Sequence, residues 1–395
     1  MVERTLTSYL RTAFKKYPVL TITGPRQSGK TTLVKNTFPN LPYVNFENIE
    51  TRQAAQTDPK AFIKTYENGA IIDEFQHMPE LTSWIQVHTD EKKKNSMFVL
   101  TGSQQLVVMQ NLSQSLAGRT ALFKLLPFSY EELHTKYKQL SADEEIYRGF
   151  YPRFYSENIE PRRGLSDYLS TYIERDVRSL KQIHNLSMFQ KFLSLCAGRI
   201  GQILNLSHLA ADTGISHTTA ADWISILEAS FVIFLLKPWY ANIGKRLIRS
   251  PKLYFYDVGM AAHLLHIEKP QHVFSHPLRG NLFENIIIAE ALKYRYHRGE
   301  NSNLWFYRDA KGREVDLVIS QGSDLFPVEI KAGETVPADA TDNLHYFNAQ
   351  FPRNKKREFA GALIHGGALK IPRSGIFLTD RYGISDVFRC AQAGD

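Results

Sequence analysis

A short glycine-containing segment near the amino end of the chain restricts the possible folds more than any other stretch. Residues 24–31 fit the pattern G-x-x-x-x-G-K-[ST], and the apolar, β-branched run 19–23 precedes them. Such a loop, between a strand and a helix, directs unpaired backbone N–H groups and the positive end of the helix at one point. The segment therefore predicts a phosphate-binding loop (P-loop) in an α/β nucleoside triphosphatase domain with a parallel sheet.

Each position of this loop has an expected task. Gly24 and Gly29 let the backbone bend and approach a ligand closely. Lys30 is expected to reach the β- and γ-phosphates, and the Thr31 hydroxyl is expected to hold Mg²⁺. ATP and Mg²⁺ are thus the expected cofactors. The candidate nucleotide contacts are Gly24, Pro25, Arg26, Gln27, Ser28, Gly29, Lys30, Thr31 and Thr32.

Two carboxylates lie at the end of the next predicted buried strand. The run 70–72 is apolar and ends in Asp73 and Glu74, as the metal-ordering strand of a nucleotide hydrolase should. We assign Asp73 to the Mg²⁺ shell and Glu74 to polarising the attacking water. The alternative, an ordinary acidic strand end, is disfavoured by the preceding P-loop.

Two further residues extend the predicted site. The apolar run 97–102 ends at Ser103, which, with Thr101 as the alternative, is a candidate hydrogen-bond donor to the γ-phosphate. Arg119 is either a solvated surface charge or an arginine supplied to the triphosphate of a neighbouring subunit, because a guanidinium neutralises charge that grows in the transition state.

The composition limits the remaining classes. The 395 residues suffice for two or three domains, and the 43% hydrophobic content indicates real cores. No apolar run approaches 18 residues and the first residues lack a signal-peptide pattern, so we expect a cytoplasmic protein with no membrane partner. Only Cys196 and Cys390 are present, which predicts neither disulfides nor a zinc site. The net charge of +8 permits an acidic partner such as DNA.

Strand patterns and composition divide the chain into three predicted domains. Alternating strands and helices indicate a parallel sheet covered on both faces, which with the P-loop predicts an ATPase core over 1–135. A helical linker and winged-helix domain is predicted over 136–268, and a nuclease-like α/β domain over 269–395. The strands predicted in the first domain are 19–23, 42–46, 70–74, 97–102 and 121–126.

The middle domain combines helical patterns with two short strands. Residues 207–216 read as a helix, a glycine turn and the cap of a second helix, while 231–236 and 253–256 read as strands. Together they predict a winged helix. Basic side chains between the two predicted strands suit contacts with DNA phosphates, which do not distinguish one DNA sequence from another. Winged helices are also common protein–protein modules. The candidate DNA contacts are His217, Thr218, Lys245, Arg246, Arg249 and Lys252.

A second candidate catalytic centre lies in the last third. Glu329 and Lys331 are two apart on one predicted strand and share a face, and Asp316 on the neighbouring strand can converge with them. Asp316 and Glu329 can ligate Mg²⁺, and Lys331 can steady a hydroxide that attacks a phosphodiester. The spacing D-(x12)-E-x-K is that of restriction-endonuclease-like cores, with Glu284 as an additional helix-borne carboxylate. A degenerate core that only binds nucleic acid is the main alternative.

These motifs together resemble one prokaryotic family, the AAA-type ATPases with a C-terminal domain designated DUF4143. The resemblance covers nearly the whole chain. It implies self-association into a ring, often a hexamer, with sites between subunits, which favours Arg119 as the arginine donated to a neighbour. The motifs that carry it are residues 24–32, 71–74, 100–103, 115–119, 172–177, 314–316 and 328–331.

The sequence leaves three functions open. The first is an ATP-hydrolysing DNA-processing protein, in which the ATPase drives or gates DNA remodelling by the winged-helix and nuclease-like regions. The second is an ATP-gated regulatory switch. The third is an ATPase that acts on protein partners and carries a catalytically silent nuclease-like domain.

Overall fold

The computed structural model describes residues 2–103, 116–172, 185–240, 250–351 and 357–392. The strands are β1 Val19–Thr23, β2 Tyr43–Asn45, β3 Ala70–Asp73, β4 Phe98–Gly102, β5 Thr120–Lys124, β6 Ile233–Leu236, β7 Lys252–Phe255, β8 Leu304–Arg308, β9 Glu314–Gln321, β10 Asp324–Lys331, β11 Gly361–His365 and β12 Ile376–Asp380.

Helices separate most of these strands. They are α1 Leu6–Phe14, α2 Lys30–Thr37, α3 Ile49–Thr57, α4 Pro59–Thr65, α5 Leu81–Lys92, α6 Tyr130–Leu133, α7 Ala142–Arg148, α8 Pro152–Ser156, α9 Pro161–Tyr172, α10 Leu186–Ala197, α11 Leu206–Thr213, α12 His217–Ala229, α13 Val258–Leu264, α14 Pro270–Phe274, α15 Arg279–Tyr296, α16 Asp342–Gln350 and α17 Ile384–Gln392. Within the described ranges, none of the helices has both the length and the apolar character needed to cross a bilayer.

The first sheet is parallel throughout, in the order β2-β3-β4-β1-β5. Side chains alternate between its faces, so Ile71 packs with α1 and α2 while its neighbour Ile72 packs with α3, α4 and α5. The prediction of a parallel sheet with helices on both faces is confirmed. Because all five strands run the same way, the carboxyl ends of β1, β3 and β4 meet at one edge.

The middle region is helical, with one antiparallel pair, β6 and β7. Ser216 caps α12 by accepting a hydrogen bond from Thr219 N, and Gly214 ends α11 with a left-handed φ of 88°. The helix, glycine turn, second helix and two strands therefore lie where the sequence predicts them. Lys252 is the first residue of β7 and is buried, rather than belonging to an exposed connection.

The C-terminal sheet is mixed, in the order β12-β11-β10-β9-β8. Strands β8, β9 and β10 form an antiparallel meander, and β10, β11 and β12 are parallel. Helix α15 packs against β7, β10 and α17. It therefore lies between the middle region and the C-terminal sheet.

Candidate nucleotide site and a second acidic cluster

The P-loop closes tightly around its own lysine. A Cβ at Gly24 would lie 2.1 Å from Leu125 O, so only glycine fits there. Lys30 is buried, and its Nζ donates to Gly24 O at 2.9 Å and to Pro25 O at 2.8 Å. Ser28 Oγ is buried without a hydrogen-bond partner in the described part of the chain. The loop thus offers an ammonium group and an unsatisfied hydroxyl at the start of α2.

Arg4, which sequence analysis did not identify, holds this loop in place through its guanidinium. Its guanidinium donates to Ser28 O at 2.8 Å, to Leu126 O at 2.6 Å and to Glu132 Oε1 at 3.0 Å. Burial raises the pKa of Glu132, but the opposing charges of Arg4 and His297 outweigh it and hold that pKa well below its usual range. This buried ion pair ties the P-loop to the segment after β5.

The Asp73 carboxylate accepts hydrogen bonds from three hydroxyl groups. Its Oδ2 accepts hydrogen bonds from Thr31 Oγ1 and from Tyr43 Oη, each at 2.7 Å, and its Oδ1 accepts one from Thr101 Oγ1. Asp73 is 3% exposed. Burial, and then the hydrogen bond to Asp73, raise the pKa of Tyr43 far above its ordinary value. The structure therefore brings the two predicted Mg²⁺ ligands together and adds Tyr43, on the neighbouring strand β2.

Glu74 faces a different direction from Asp73. Its left-handed backbone, with φ 56° and ψ 42°, turns the chain from β3 into a short 3-10 helix. Its carboxylate accepts hydrogen bonds from Gln76 Nε2 and from Ser103 Oγ, the latter at 3.4 Å. The predicted Glu74 and Ser103 thus converge beside Asp73 at the carboxyl edge of the sheet.

Arg119 lies at the opposite edge. Its carbonyl accepts a hydrogen bond from Val19 N, at the amino end of β1, whereas the P-loop follows the carboxyl end of that strand. A five-residue strand separates the two by about 16 Å. Arg119 also forms a two-pronged, exposed ion pair with Asp90 at 2.6 and 2.9 Å. Arg119 therefore lies away from the candidate nucleotide site of the same chain.

An apolar cavity of about 650 Å³ adjoins the P-loop helix. Its volume lies within the range typical of small-molecule sites. Gly29 and Thr32 form its border with the loop, and Arg26 and Gln27 are not among the residues that line it. The sequence could not reveal this cavity, because its walls come from segments distant along the chain: Val2, Arg4, Thr7, Leu33, Phe128, Tyr137 and Pro152.

The second acidic cluster assembles around β9, β10 and α15. Asp316 Oδ2 accepts a hydrogen bond from Ile330 N at 2.8 Å, and Glu329 Oε1 accepts one from Lys331 Nζ at 2.7 Å. Glu284 on α15 lies close enough to Asp316 for the charge of Asp316 to affect it. The predicted Asp316, Glu329, Lys331 and Glu284 are therefore neighbours. Within the described ranges, no three His, Cys, Asp or Glu side chains are arranged to hold a metal ion.

Burial and mutual repulsion perturb these carboxyl groups. Burial, followed by the charge of Asp316, raises the pKa of Glu284 to about 7 and that of Glu329 to about 8. Burial likewise raises the pKa of Asp316. Clusters of this kind occur at functional sites more often than elsewhere.

The prediction that Lys252 contacts DNA from a loop is wrong. Lys252 is 3% exposed, and its Nζ lies 3.0 Å from Glu284 Oε1. Composition alone could not show that this cation is paired inside the protein. His217 and Thr218 are exposed at the start of α12. Lys245, Arg246 and Arg249 lie outside the described residues, as does most of the motif at 172–177.

Comparison with known proteins agrees with this geometry. A family model described as an AAA domain matches residues 16–134, one described as domain of unknown function DUF8612 matches 139–271, and one described as domain of unknown function DUF4143 matches 279–380. The fold and the P-loop thus define a P-loop ATPase with an AAA domain. The chain therefore carries an AAA domain followed by a C-terminal DUF4143 domain, and the resemblance stated from sequence is confirmed.

Curated relatives share most of this length. An uncharacterized protein of Mycobacterium tuberculosis is 28% identical over 336 residues, covering 84% of this chain and 74% of its own. An uncharacterized protein of Methanocaldococcus jannaschii is 23% identical, covering 80% and 75%. Among solved structures, a Walker-type ATPase of Pyrococcus abyssi matches with a TM-score of 0.43 and 14% identity, covering 66% of this chain and 94% of that one. A RuvB variant of Thermotoga maritima matches with a TM-score of 0.31 and 17% identity, covering 58% and 86%.

Proposed function

We propose that this protein hydrolyses ATP with Mg²⁺ at the carboxyl edge of the first sheet. The observation that carries the proposal is the 2.7 Å hydrogen bond between Thr31 of the P-loop and Asp73 of β3. A hydroxyl and a carboxylate so placed are hard oxygen donors that fit Mg²⁺. Thr31 and Asp73 would hold the ion, which would neutralise the negative charge that develops on the phosphates.

The remaining residues of the site have distinct tasks in this proposal. Lys30 exchanges its hydrogen bonds with two loop carbonyls for phosphate oxygens. Glu74 orients the attacking water and accepts its proton, and Ser103, held next to it, donates a hydrogen bond to the γ-phosphate. The nucleoside occupies the 650 Å³ cavity beside Gly29.

Arg119 acts on a neighbouring subunit in this proposal. Its position at the far edge of the sheet prevents it from reaching its own nucleotide, and the family resemblance implies rings with sites between subunits. A ring, such as a hexamer, would bring Arg119 to the triphosphate of the next copy once Arg119 leaves Asp90. The guanidinium would then stabilise transition-state charge.

We further propose that ATP hydrolysis drives or gates the handling of DNA. The supporting observations are the net charge of +8, the exposed His217 and Thr218 on a helix that follows a glycine turn, and the two strands after it, which suit a winged helix. The alternatives are an ATP-gated switch and an ATPase that acts on protein partners. Both would leave the C-terminal domain catalytically silent.

One observation favours a second activity, Mg²⁺-dependent phosphodiester cleavage. The order of helix α15, antiparallel strands β8–β10, helix α16 and parallel strand β11 suits a restriction-endonuclease-like core. Asp316 and Glu329 lie on adjacent strands, and the side chain of Lys331 is 38% exposed at the rim. The two carboxylates would hold the metal ion, and Lys331 would steady the attacking hydroxide.

The rate of ATP hydrolysis in the presence of duplex, forked and single-stranded DNA tests the main proposal. We expect Mg²⁺-dependent hydrolysis that accelerates several-fold with at least one DNA structure, an effect that weakens as salt rises. A rate that ignores every DNA, with no salt-dependent binding, favours the switch or the protein partner. Absence of hydrolysis in all conditions contradicts the proposed ATPase activity.

A separate experiment tests cleavage of DNA by the second site. The same DNA structures are incubated with Mg²⁺ and either the parent protein or the Asp316→Asn variant.

Replacing Tyr43 by phenylalanine is expected to impair the Mg²⁺ site without unfolding the domain. The change removes one of the two hydrogen bonds to Asp73 Oδ2, and loss of such a supporting contact weakens metal binding or activity by roughly 10- to 100-fold. ATPase rates measured over a Mg²⁺ titration should show a higher Mg²⁺ requirement. Tyr9→Phe, on the exposed side of α1, is the matched control. An unchanged Mg²⁺ curve for Tyr43→Phe would remove Tyr43 from the site.

A further inference from the structure

A lysine from the middle region lies inside the second acidic cluster. Lys252 begins β7, and its side chain is 4% exposed. Its Nζ lies 3.0 Å from Glu284 Oε1 on α15 and 2.5 Å from Glu314 Oε1 on β9. Burial lowers the pKa of Lys252, but the carboxylates of Glu284, Asp316 and Glu314 outweigh that effect and raise it, so the ammonium stays charged. A cation from one part of the chain thus joins a helix and a strand of another.

The carboxylates of this cluster are not fully satisfied by the surrounding cations. Lys331 pairs with Glu329 Oε1. Arg308, at the surface, lies 3.3 Å from the second carboxylate oxygen of Glu314. Glu329 is 3% exposed, and its Oε2 has no hydrogen-bond partner in the described part of the chain. An unpaired buried acceptor is costly, so a cation or donor that reached this oxygen would stabilise the cluster. The acidic groups are Glu284, Glu314, Asp316 and Glu329.

We propose that Lys252 occupies the place of a divalent cation in this cluster, and that a metal ion binds there only when the ammonium withdraws. The inference rests on the proposed nuclease-like site and adds a means of regulating it. Mg²⁺ binds carboxylate oxygens at about 2.0–2.1 Å, closer than the 2.5 and 3.0 Å separations around Lys252. A lysine that spaces the carboxylates at hydrogen-bond distance explains why, among the described residues, no three acidic side chains are arranged to hold a metal ion.

The position of Lys252 in the chain makes this contact responsive to movement between regions. Lys252 pairs through its backbone with Leu236 of β6, whereas Glu284 and Glu314 belong to α15 and β9. A shift of the β6–β7 pair relative to α15 would withdraw the ammonium and leave the carboxylates open to a metal ion. Metal occupancy of the second site would then depend on the conformation of the middle region.

Thermal unfolding of the full-length protein with Mn²⁺ or with a chelator, without nucleotide, tests this inference. Apart from any effect of Mn²⁺ at the P-loop site, the parent protein should have the same Tm in both. Lys252→Met should have a lower Tm in the chelator, because its carboxylates lose their cation, and Mn²⁺ should raise that Tm by about 5 °C. Lys252→Met combined with Glu284→Gln should lose the Mn²⁺ effect. Any effect of Mn²⁺ at the P-loop site is common to all three proteins, so it is removed by subtracting the Tm shift of the parent protein.

Each result of the unfolding experiment either supports or overturns the inference about Lys252. A folded Lys252→Met variant whose Tm ignores Mn²⁺ overturns the inference, as does a parent protein whose Tm rises as much as that of the variant. Should Lys252→Met fail to fold in the chelator, Lys252→Gln keeps a hydrogen-bond donor without the charge and is measured in the same way. Failure of both to fold even with Mn²⁺ also overturns it, since the metal ion would replace the lost charge. The readout is independent of ATP hydrolysis and of DNA cleavage, so those proposals fail or stand separately.

Discussion

Replacing Lys30 by alanine is expected to abolish tight binding of ATP and, with it, hydrolysis. The side chain is buried at the start of α2, and its Nζ already lies within 2.9 Å of Gly24 O and Pro25 O, where phosphate oxygens would replace those carbonyls. Hydrogen bonds to charged groups contribute about 1.5–3 kcal/mol each, and Lys30 would transfer two of them to phosphate oxygens, so affinity should fall by roughly 100-fold or more. Isothermal titration calorimetry with ATP and Mg²⁺ measures the loss directly.

The control for Lys30→Ala is a lysine of the same domain outside the site. Lys64→Ala, in the last turn of α4, removes an exposed lysine and should leave the calorimetric curve unchanged. Thermal unfolding checks that Lys30→Ala retains its fold. Nucleotide affinity equal to that of the parent, in a folded Lys30→Ala variant, would exclude the P-loop as the nucleotide site.

Local sequence signals predicted the positions of the candidate nucleotide-site residues in the fold because the determinants of those positions are short. The β-branched run 19–23, the loop after it and the buried run before Asp73 each specify their structure within a few residues. A parallel sheet then brings Thr31, Asp73 and Ser103 together, since the carboxyl ends of its strands share one edge. The same logic placed Asp316 and Glu329 on adjacent strands.

The missed residues act through contacts between distant segments. Arg4 precedes Ser28 by 24 residues and Tyr43 precedes Asp73 by 30, and no local pattern marks either of them. Lys252 was assigned to DNA because a cation near other cations suggests a basic surface. Only the packing of β7 against α15 reveals that its ammonium is buried among carboxylates. Burial of this kind depends on tertiary structure, which charge counting does not capture.

Helix α15 connects the two candidate sites. Near its carboxyl end, Lys293 Nζ donates to Phe128 O at 2.8 Å, close to the segment that Arg4 ties to the P-loop. Near its amino end, Glu284 belongs to the second cluster. The helix has 18 residues and spans about 27 Å. One helix thus contacts both the segment beside the P-loop and the cluster that contains Lys252.

Replacing Glu74 by glutamine is expected to separate ATP binding from turnover. The amide keeps the size of the side chain and its hydrogen bonds to Gln76 and Ser103, but it cannot accept a proton from the attacking water. General-base assistance is worth roughly 100-fold or more, so phosphate release should fall by that factor while calorimetric affinity for ATP stays near that of the parent. Glu80→Gln, an exposed carboxylate immediately before α5, should leave both quantities unchanged. Turnover of Glu74→Gln within a fewfold of the parent would assign water activation to another group, and a matching loss of ATP affinity would make Glu74 a binding residue instead.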